Sequence, residues 1–322
     1  GPNINRMFAD TNDQFVTENL GLDTDGKSLN SIIVGGVVER IPRVPVLDTN
    51  IFEELKKDLG NNNYILNENL FLFPYDWRLD VEISFLGLDS IVEQALANSP
   101  TGKVNIIAHS MGGLVVKDYL MRNGDSNVNK LIFAGTPHLG APKAFNALNY
   151  GDDFDLKFIG LGLNKNKAKE IGQNMPGVYE LLPSREYINQ AGSYVQDERS
   201  GSLQLLTYDQ INQFMTSDPV LPDYRNSNIL NLAGQFHQSH DTWLPQSANV
   251  YNLIGCRAYD TIGLFKIEEG GSMDIDSVTG DGTVPFVSAN HMSAGDKYFV
   301  SYPVTKINHL DLIRDEKTVD LI

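Results

Sequence analysis

Short apolar runs alternate with segments of helical periodicity through the first half of the chain. Strands are predicted at residues 31–38, 70–73, 104–108 and 130–134. The helices predicted between them are one capped by Asn50 that ends at Gly60, and two more at residues 85–96 and 111–121. This alternation predicts an α/β fold, with a mostly parallel sheet that helices cover on both faces.

The alternation stops near residue 146 and returns near residue 250. Between them the chain carries Gly, Asn and scattered aromatic residues without a clean period, which predicts a loop-rich cap inserted above the sheet. Strands at 250–255 and 298–302 and a closing helix at 310–322 restore the pattern. The predicted organisation is an irregular lead-in at 1–30 (with Gly1-Pro2 resembling a tag-removal scar), core segments at 31–145 and 250–322, and the cap at 146–249.

The charge and the cysteine content limit the partners and the kinds of site that this chain can have. The chain has 25 Lys and Arg residues against 41 Asp and Glu residues, and its net charge of −16 disfavours binding to nucleic acid or to anionic lipid surfaces. Contact with a lipid surface would therefore use apolar patches. Cys256 is the only cysteine, which excludes a disulfide within these residues and a cysteine-ligated metal cluster. We recognise no membrane span and no export signal, and the compartment stays unassigned.

Residues 104–113 read VNIIAHSMGG, a buried strand that turns through Ser110 into a helix. A nucleophile elbow has this form, because its sharp turn lifts a serine hydroxyl clear of the backbone. Small residues two places before and after the serine avoid a clash, and here they are Ala108 and Gly112. We therefore predict that Ser110 is a catalytic nucleophile, with a serine that merely caps the helix as the alternative.

A serine nucleophile needs a histidine base and a carboxylate that orients the base. In folds with such an elbow the acid and then the histidine follow on late loops, which selects Asp281 in GDGTVP and His309 before the closing helix. The main alternative base is His291. His109 is expected to be structural, and His138 could line the site. The alternative acids, otherwise interpreted as solvated loop charges, are Asp260, Asp274 and Asp276.

Acyl transfer also needs backbone N–H groups that stabilise the developing oxyanion. Met111, directly after the serine, is predicted to supply one of them. Val37 is the candidate for the second, with Val38 one position away. The glycine pair before Val37 would let this loop approach the acyl carbon closely.

Two weaker clusters contain metal-ligating residue types. His237, His240 and Asp241 lie in HQSHD, but the sequence places them in a predicted loop and no Glu follows the first histidine as in zinc proteases. Asp274 and Asp276 lack the remaining ligands of a calcium loop. We therefore predict neither a metal site nor a cofactor.

Six motifs together resemble the lecithin:cholesterol acyltransferase family. In family order they are FPYDWR at 73–78, AHSMGG at 108–113, GTPHLGAPKA at 135–144, MPGVYELLPS at 175–184, GDGTVP at 280–285 and NHLDLIRD at 308–315. The resemblance implies an α/β-hydrolase core with a cap and a lid at about 38–64, and cleavage of acyl esters of lipids. It implies the same Ser110, Asp281 and His309 triad, and it places Trp77 near the lid and the acyl-binding pocket. From its chemistry alone Trp77 could equally be a core residue.

The chain departs from the family in two places. It lacks the cysteine pair of the family's lid disulfide, and VGG at 34–36 stands where family members commonly have a proline before glycine. The predicted function is serine-dependent hydrolysis of lipid esters or transfer of their acyl groups, with water or an alcohol as the acceptor. The alternatives are a small-ester hydrolase that uses the same triad, and a catalytically silent binding module of a larger protein. The oligomeric state is not predicted.

Overall fold

The computed structural model describes residues 14–37, 40–41, 49–151, 164–217, 226–301 and 308–322. Its strands are β1 Arg40–Ile41, β2 Thr49–Asn50, β3 Val104–His109, β4 Val128–Ala134, β5 Val195–Asp197, β6 Gln204–Leu205, β7 Asn249–Gly255, β8 Arg257–Ile267, β9 Met273–Gly280 and β10 Asp296–Val300. Its α-helices are Gln14–Leu20, Glu53–Asn61, Val81–Ser84, Leu88–Asn98, Gly112–Asn123, Pro142–Tyr150, Lys165–Gly172, Pro176–Tyr179, Arg185–Ala191, Tyr208–Ser217, Ser227–His240, Phe286–Ala289 and Glu316–Val319. Short 3-10 helices occur at Glu269–Gly271 and His309–Ile313.

The central sheet has four parallel strands in the order β10-β7-β4-β3. Successive residues of a strand point to opposite faces, and β4 shows what each face packs against. Phe133 joins a buried cluster with Leu114 from the helix after β3, whereas Ile132 joins another with Leu55 of helix Glu53–Asn61. Helices therefore pack against both faces, which confirms the predicted fold class.

The parallel arrangement brings the loops that follow the strands to one edge of the sheet. Ser110 comes directly after β3, and Gly135 directly after β4. The main-chain N–H of Ser110 donates to Ala134 of β4 over 2.9 Å, and that of Gly135 donates to Leu253 of β7 over 2.9 Å. These bonds continue the strand pairing into the loops and hold the two turns side by side.

A second sheet, in the order β6-β5-β8-β9, was not predicted. Its main part is the antiparallel pair β8 and β9. Most of β9 is exposed and polar, so the apolar alternation that reveals a strand is missing there. In β8 alternate residues from Thr261 to Ile267 are buried, and Phe265 and Ile267 pack into the largest apolar cluster.

The segment between the two halves of the sheet is helical, which corrects the prediction of a loop-rich cap. Five helices lie within its described part: Lys165–Gly172, Pro176–Tyr179, Arg185–Ala191, Tyr208–Ser217 and Ser227–His240. The four longer helices each bury a narrow apolar face with polar residues around it; in Tyr208–Ser217 the buried residues are Ile211, Phe214 and Met215. The abundant Asn and Gln residues lie on the exposed faces, and they obscured the helical period in the sequence.

Several smaller predictions were wrong. Residues 31–37 and 70–73 form no strand, and the lead-in contains helix Gln14–Leu20, whose Val16 is buried. The N-cap of helix Glu53–Asn61 is Phe52, not Asn50. The closing segment is a 3-10 turn and one short helix instead of a continuous helix. Across the described residues no helix combines the length and apolar character needed to cross a membrane.

Candidate catalytic site

Ser110 lies in a strained turn between β3 and helix Gly112–Asn123. Its φ of 55° is in the left-handed region, which costs a non-glycine residue about 1 kcal/mol or more. The tight steric position in this turn is Gly113, since an added Cβ would overlap the side chain of Thr136. At Gly112 an added Cβ would stand 3.7 Å from the Tyr75 hydroxyl, an ordinary contact. Gly112 was predicted to be the residue that must be small in this turn, but the packing places that requirement on Gly113.

The structure brings the three predicted side chains into one hydrogen-bonded chain. The Oγ of Ser110 lies 2.7 Å from Nε2 of His309, and Nδ1 of His309 lies 2.7 Å from Oδ2 of Asp281. A carboxylate can only accept, so Nδ1–H of His309 donates to Asp281. Nε2 is then the unprotonated nitrogen and accepts from the serine hydroxyl. This is the tautomer that a general base toward Ser110 requires.

Asp281 is buried, with 1% of its surface exposed, yet it is held in the ionised form. Burial raises its pKa, but the charge and hydrogen bond of His309 and the main-chain amides of Val284 and Thr283 outweigh burial, so the pKa of Asp281 is lowered. Those amides donate to Oδ1 over 2.7 and 3.0 Å. Oδ2 is left for the histidine, and the carboxylate has a fixed orientation.

The side chains of the candidate base and of the carboxylate pack closely against two glycines. An added Cβ at Gly135 would lie 2.8 Å from Leu312, 3.0 Å from Asp281 and 3.1 Å from His309, and the φ of Gly135 is +59°. An added Cβ at Gly255 would overlap Asp281. Neither glycine was predicted from the sequence to be part of the site. A glycine directly after a predicted strand, as in GTPH, is the signal that could have found Gly135.

His109 contacts the candidate base from the nucleophile side. Its Nε2 lies 3.0 Å from the main-chain oxygen of His309, and since a carbonyl only accepts, Nε2–H of His109 donates. The two rings are 4.6 Å apart. Burial and then the charge of His309 lower the pKa of His109 to about 3. His109 is therefore neutral at ordinary pH, and its side chain points toward the base, although away from the hydroxyl as predicted.

The two predicted oxyanion donors differ in their surroundings. The Met111 amide, next to Ser110 in the chain, donates to no acceptor among the residues that the structure describes. Val37 is half-buried and follows an exposed loop in which neither Gly35 nor Gly36 has a protein atom within 4 Å of an added Cβ. Val38 lies outside the described residues, as do most of positions 38–48 of the predicted lid. The oxyanion role of Val37 stays a prediction.

Trp77 is half-buried and packs against two apolar clusters, one under the helix after Ser110 and one in the helical insertion. Its main-chain oxygen lies close to Gly177, where an added Cβ would overlap it. Trp77 thus joins the sheet to the insertion. Its predicted acyl-binding role is not tested by these contacts.

The alternative catalytic residues lie elsewhere. Nε2–H of His291 donates to the main-chain oxygen of Asp241 over 2.7 Å, and Nδ1 lies 3.0 Å from the Gln190 amide. His138 is fully buried against Phe133 and does not line an open site, which corrects that expectation. Among the alternative acids, Asp260 pairs with Arg257 and Asp276 pairs with Lys266 over 2.6 Å, and Asp274 is exposed. All three lie in strands, Asp260 in β8 and the other two in β9, and not in the expected loops.

The HQSHD cluster lies on a helix and its end, not in a loop. His237 contacts Asp241 over 2.8 Å through Nδ1, and its Nε2 lies 3.0 Å from the main-chain oxygen of Glu180. His240 contacts Asp118 over 3.0 Å through Nε2. Both histidines therefore join helix Ser227–His240 to neighbouring segments.

Comparison with known proteins places this arrangement in a family. The family profile described as Lecithin:cholesterol acyltransferase matches residues 44–253, more than half of the chain. Phospholipase A(1) LCAT3 of Arabidopsis thaliana is 25% identical over 84% of this chain and 68% of its own length. Phosphatidylcholine-sterol acyltransferase of Mus musculus is 35% identical, over 31% of this chain and 24% of its own.

A solved structure, the crystal structure of the Tle4-Tli4 complex, resembles this fold with a TM-score of 0.57 over 99% of this chain and 77% of that chain. At 15% identity that likeness concerns the fold alone. The fold is α/β-hydrolase-like, and the family predicted from the motifs is confirmed. The chain belongs to the lecithin:cholesterol acyltransferase family.

Proposed function

We propose that the protein hydrolyses lipid esters, or transfers their acyl groups, through a covalent intermediate on Ser110. The observation that carries the proposal is the continuous hydrogen-bonded chain from Ser110 through His309 to Asp281 at the carboxyl edge of a parallel sheet. Family membership supports the chemistry, since relatives in the family carry the names phospholipase and acyltransferase.

The reaction begins with attack of the Ser110 oxygen on the ester carbonyl carbon while Nε2 of His309 takes the hydroxyl proton. Negative charge develops on the carbonyl oxygen and is stabilised by the amides of Met111 and Val37. The imidazolium is stabilised by Asp281 and returns its proton to the departing alcohol, leaving the acyl group on Ser110. Water or an acceptor alcohol, deprotonated by the same histidine, then attacks and releases the acyl group.

A lipid substrate is favoured by the surface near the proposed oxyanion loop. Ile32, Ile33 and Val34, a few residues before Val37, are exposed, with Ile33 90% accessible. Consecutive exposed apolar residues are unusual on a soluble surface and suit contact with acyl chains. The net charge of −16 argues for uncharged or zwitterionic lipid in place of anionic lipid.

The test is ester turnover with matched variants. Wild-type protein should release p-nitrophenol from butyrate, octanoate and palmitate esters, with preference for longer chains. Ser110→Ala and His309→Gln should lower kcat/KM by about 10⁴-fold or more. His291→Gln changes a histidine that does not touch the triad, and it should keep the wild-type rate. Products formed with phospholipid vesicles, with and without an alcohol, then identify the acceptor.

Three outcomes would contradict this proposal. If a folded Ser110→Ala protein turns over esters as wild type does, the nucleophile is wrong. If butyrate is preferred throughout, a small-ester hydrolase replaces the lipid enzyme. If wild type does not exceed Ser110→Ala on any ester or phospholipid, the binding-module alternative is favoured.

A further inference from the structure

We propose that His109 is a positioning residue that holds the candidate base, His309, against the nucleophile turn. This inference rests on the proposed function and adds to it a residue outside the triad. Its basis is the hydrogen bond from Nε2–H of His109 to the main-chain oxygen of His309, 3.0 Å long, between residues 200 positions apart in sequence.

The position of His109 suits this role. It is the last residue of β3, and its neighbour Ser110 is bonded to β4 through its main-chain amide. One end of the contact is therefore fixed to a strand of the central sheet. The other end, His309, begins a 3-10 turn, a type of helix with weaker bonding than an α-helix.

His309 is held from two further directions. Asp281 binds its ring, and the capping box of Asn308 and Asp311 shapes the chain around it. The cap fixes the local path of the turn but makes no bond to the sheet near Ser110. The His109 contact supplies that link, because it sets the distance between the backbone of the base and the backbone of the nucleophile.

The ring of His109 is well suited to be a rigid donor. It is stacked obliquely on the His309 ring at 4.6 Å, and the edge of Phe52 lies on its other side, with ring centroids 6.4 Å apart. Because the carbonyl accepts, the proton of neutral His109 is on Nε2. His109 has no role in proton transfer, since its ring contacts the main-chain oxygen and not the Ser110 hydroxyl.

The consequence concerns kcat more than KM. A displacement of about 1 Å at a reacting group can cost about 10²-fold in rate. We expect His109→Phe, which keeps an aromatic ring and removes the donor, to lower kcat by about 10²-fold with little change in KM. His109→Gln retains an N–H donor of similar reach and should recover the rate to within about fivefold of wild type.

His237 provides a matched control. His237 is buried, and its Nε2 also lies 3.0 Å from a main-chain oxygen, that of Glu180. His237→Phe removes the same kind of contact away from the triad, together with the bond from the ring to Asp241. Both Phe variants should unfold at lower temperature, whereas only His109→Phe should lose rate per folded molecule.

A second measurement does not depend on turnover. Proton NMR reports the downfield resonance of the His309 Nδ1–H that is bound to Asp281. This resonance should shift or broaden in His109→Phe, persist in His109→Gln and remain unchanged in His237→Phe. If folded His109→Phe keeps both the wild-type kcat and the wild-type resonance, the inference is overturned. If wild type itself lacks esterase activity, the proposed function fails, and the resonance alone decides the role of His109.

Discussion

Two histidine–carboxylate pairs with a buried carboxylate, one at the sheet edge and one in the helical insertion, differ in the group that contacts the second ring nitrogen. At the edge of the sheet Nδ1 of His309 lies 2.7 Å from Oδ2 of Asp281, and Nε2 of the same ring contacts the hydroxyl of Ser110. In the helical insertion Nδ1 of His237 lies 2.8 Å from Oδ1 of Asp241, and Nε2 of the same ring contacts a main-chain carbonyl oxygen. The pairs are alike in length and in burial of the carboxylate, so the third group distinguishes them.

The chemistry of that third group explains the difference. A carbonyl can only accept, so it keeps a proton on Nε2 of His237 and leaves no basic nitrogen facing it. A hydroxyl can donate, so Nε2 of His309 stays unprotonated and can take a proton. A buried imidazole–carboxylate pair is therefore insufficient to indicate catalysis. What the His237 pair lacks is a hydroxyl such as that of Ser110, which can give its proton to the histidine.

The largest expected effect comes from the carboxylate at the sheet edge. Asp281→Asn should lower kcat/KM for an ester by about 10⁴-fold, because the amide no longer selects the Nδ1–H tautomer or stabilises the imidazolium. Asp241→Asn makes the same change in the insertion and should leave the rate per folded molecule near wild type. Steady-state kinetics checks both, and equal losses would contradict the distinction.

The next effect is on stability and concerns a contact between the core helix Gly112–Asn123 and the insertion. Asp118 is 1% exposed and accepts from His240 over 3.0 Å and from Arg122 over 2.8 Å. Asp118→Ala leaves a buried histidine without its partner and should lower the free energy of unfolding by about 3–5 kcal/mol, with kcat unchanged in the folded fraction. Denaturant unfolding measures it. Asp209→Ala, which breaks the exposed pair with Arg185, is the control and should leave the midpoint unchanged.

A glycine tests how closely the sheet-edge pair is packed. At Gly135→Ala the new methyl group would press on Asp281 and His309, so kcat should fall by about 10²-fold. Gly124→Ala is the matched control, since its φ is also positive, +76°, but no atom lies within 4 Å of an added Cβ. Both variants should lose stability through backbone strain, and only Gly135→Ala should lose rate. Comparable rates in the two would show that Gly135 has no role in positioning the pair.

The smallest expected effect concerns Glu180, a buried carboxyl group of the insertion whose raised pKa favours the protonated form. Burial and then the charge of Asp80 raise the pKa of Glu180 well above its usual range. The unfolded chain releases this proton above about pH 4.3, so the stabilisation is complete below that pH and is lost as pH rises toward the folded pKa. Glu180→Gln keeps an acceptor for the Val81 amide and removes this pH-dependent loss.

Glu180→Gln should therefore raise the free energy of unfolding more at pH 8 than at pH 5. Thermal unfolding at the two pH values measures the difference. Glu186→Gln is the control, because bonds from Gln190 and Asn189 lower the pKa of Glu186 and its replacement should give no gain at high pH. A gain at pH 5 as large as that at pH 8 would refute the buried protonated state.

The same two regions differ in how much the sequence revealed. The strands β3, β4, β7 and β10 each contain a short apolar run, and β4 and β7 are mostly buried, so the local pattern sufficed to locate them. The three proposed triad residues were predicted from the order of motifs along these strands, and in the structure their side chains are hydrogen-bonded to one another. The longer insertion helices bury only narrow stripes, and strand β9 is mostly exposed, so neither has a local period that stands out.

Some apolar runs led to wrong strand predictions, because contacts with distant parts of the chain determine whether such a run forms a strand. Residues 31–37 have strand composition, but in the structure residues 31–36 are exposed, Val37 is half-buried, and the segment pairs with no neighbouring strand among the described residues. The tight packing at Gly113 and Gly135 depends on Thr136, Asp281 and His309, which are brought there by distant parts of the chain. Such contacts follow from the assembled fold and could not be inferred from spacing.

The most direct test of the central claim is identification of the residue that carries the acyl group. Wild-type protein would be mixed with p-nitrophenyl octanoate, quenched in acid within the first turnover, digested and analysed by peptide mass spectrometry. Our account predicts an octanoyl group on Ser110, with none on that peptide in Ser110→Ala and far less in His309→Gln. An octanoyl group on another residue, or turnover that persists in Ser110→Ala, would contradict it.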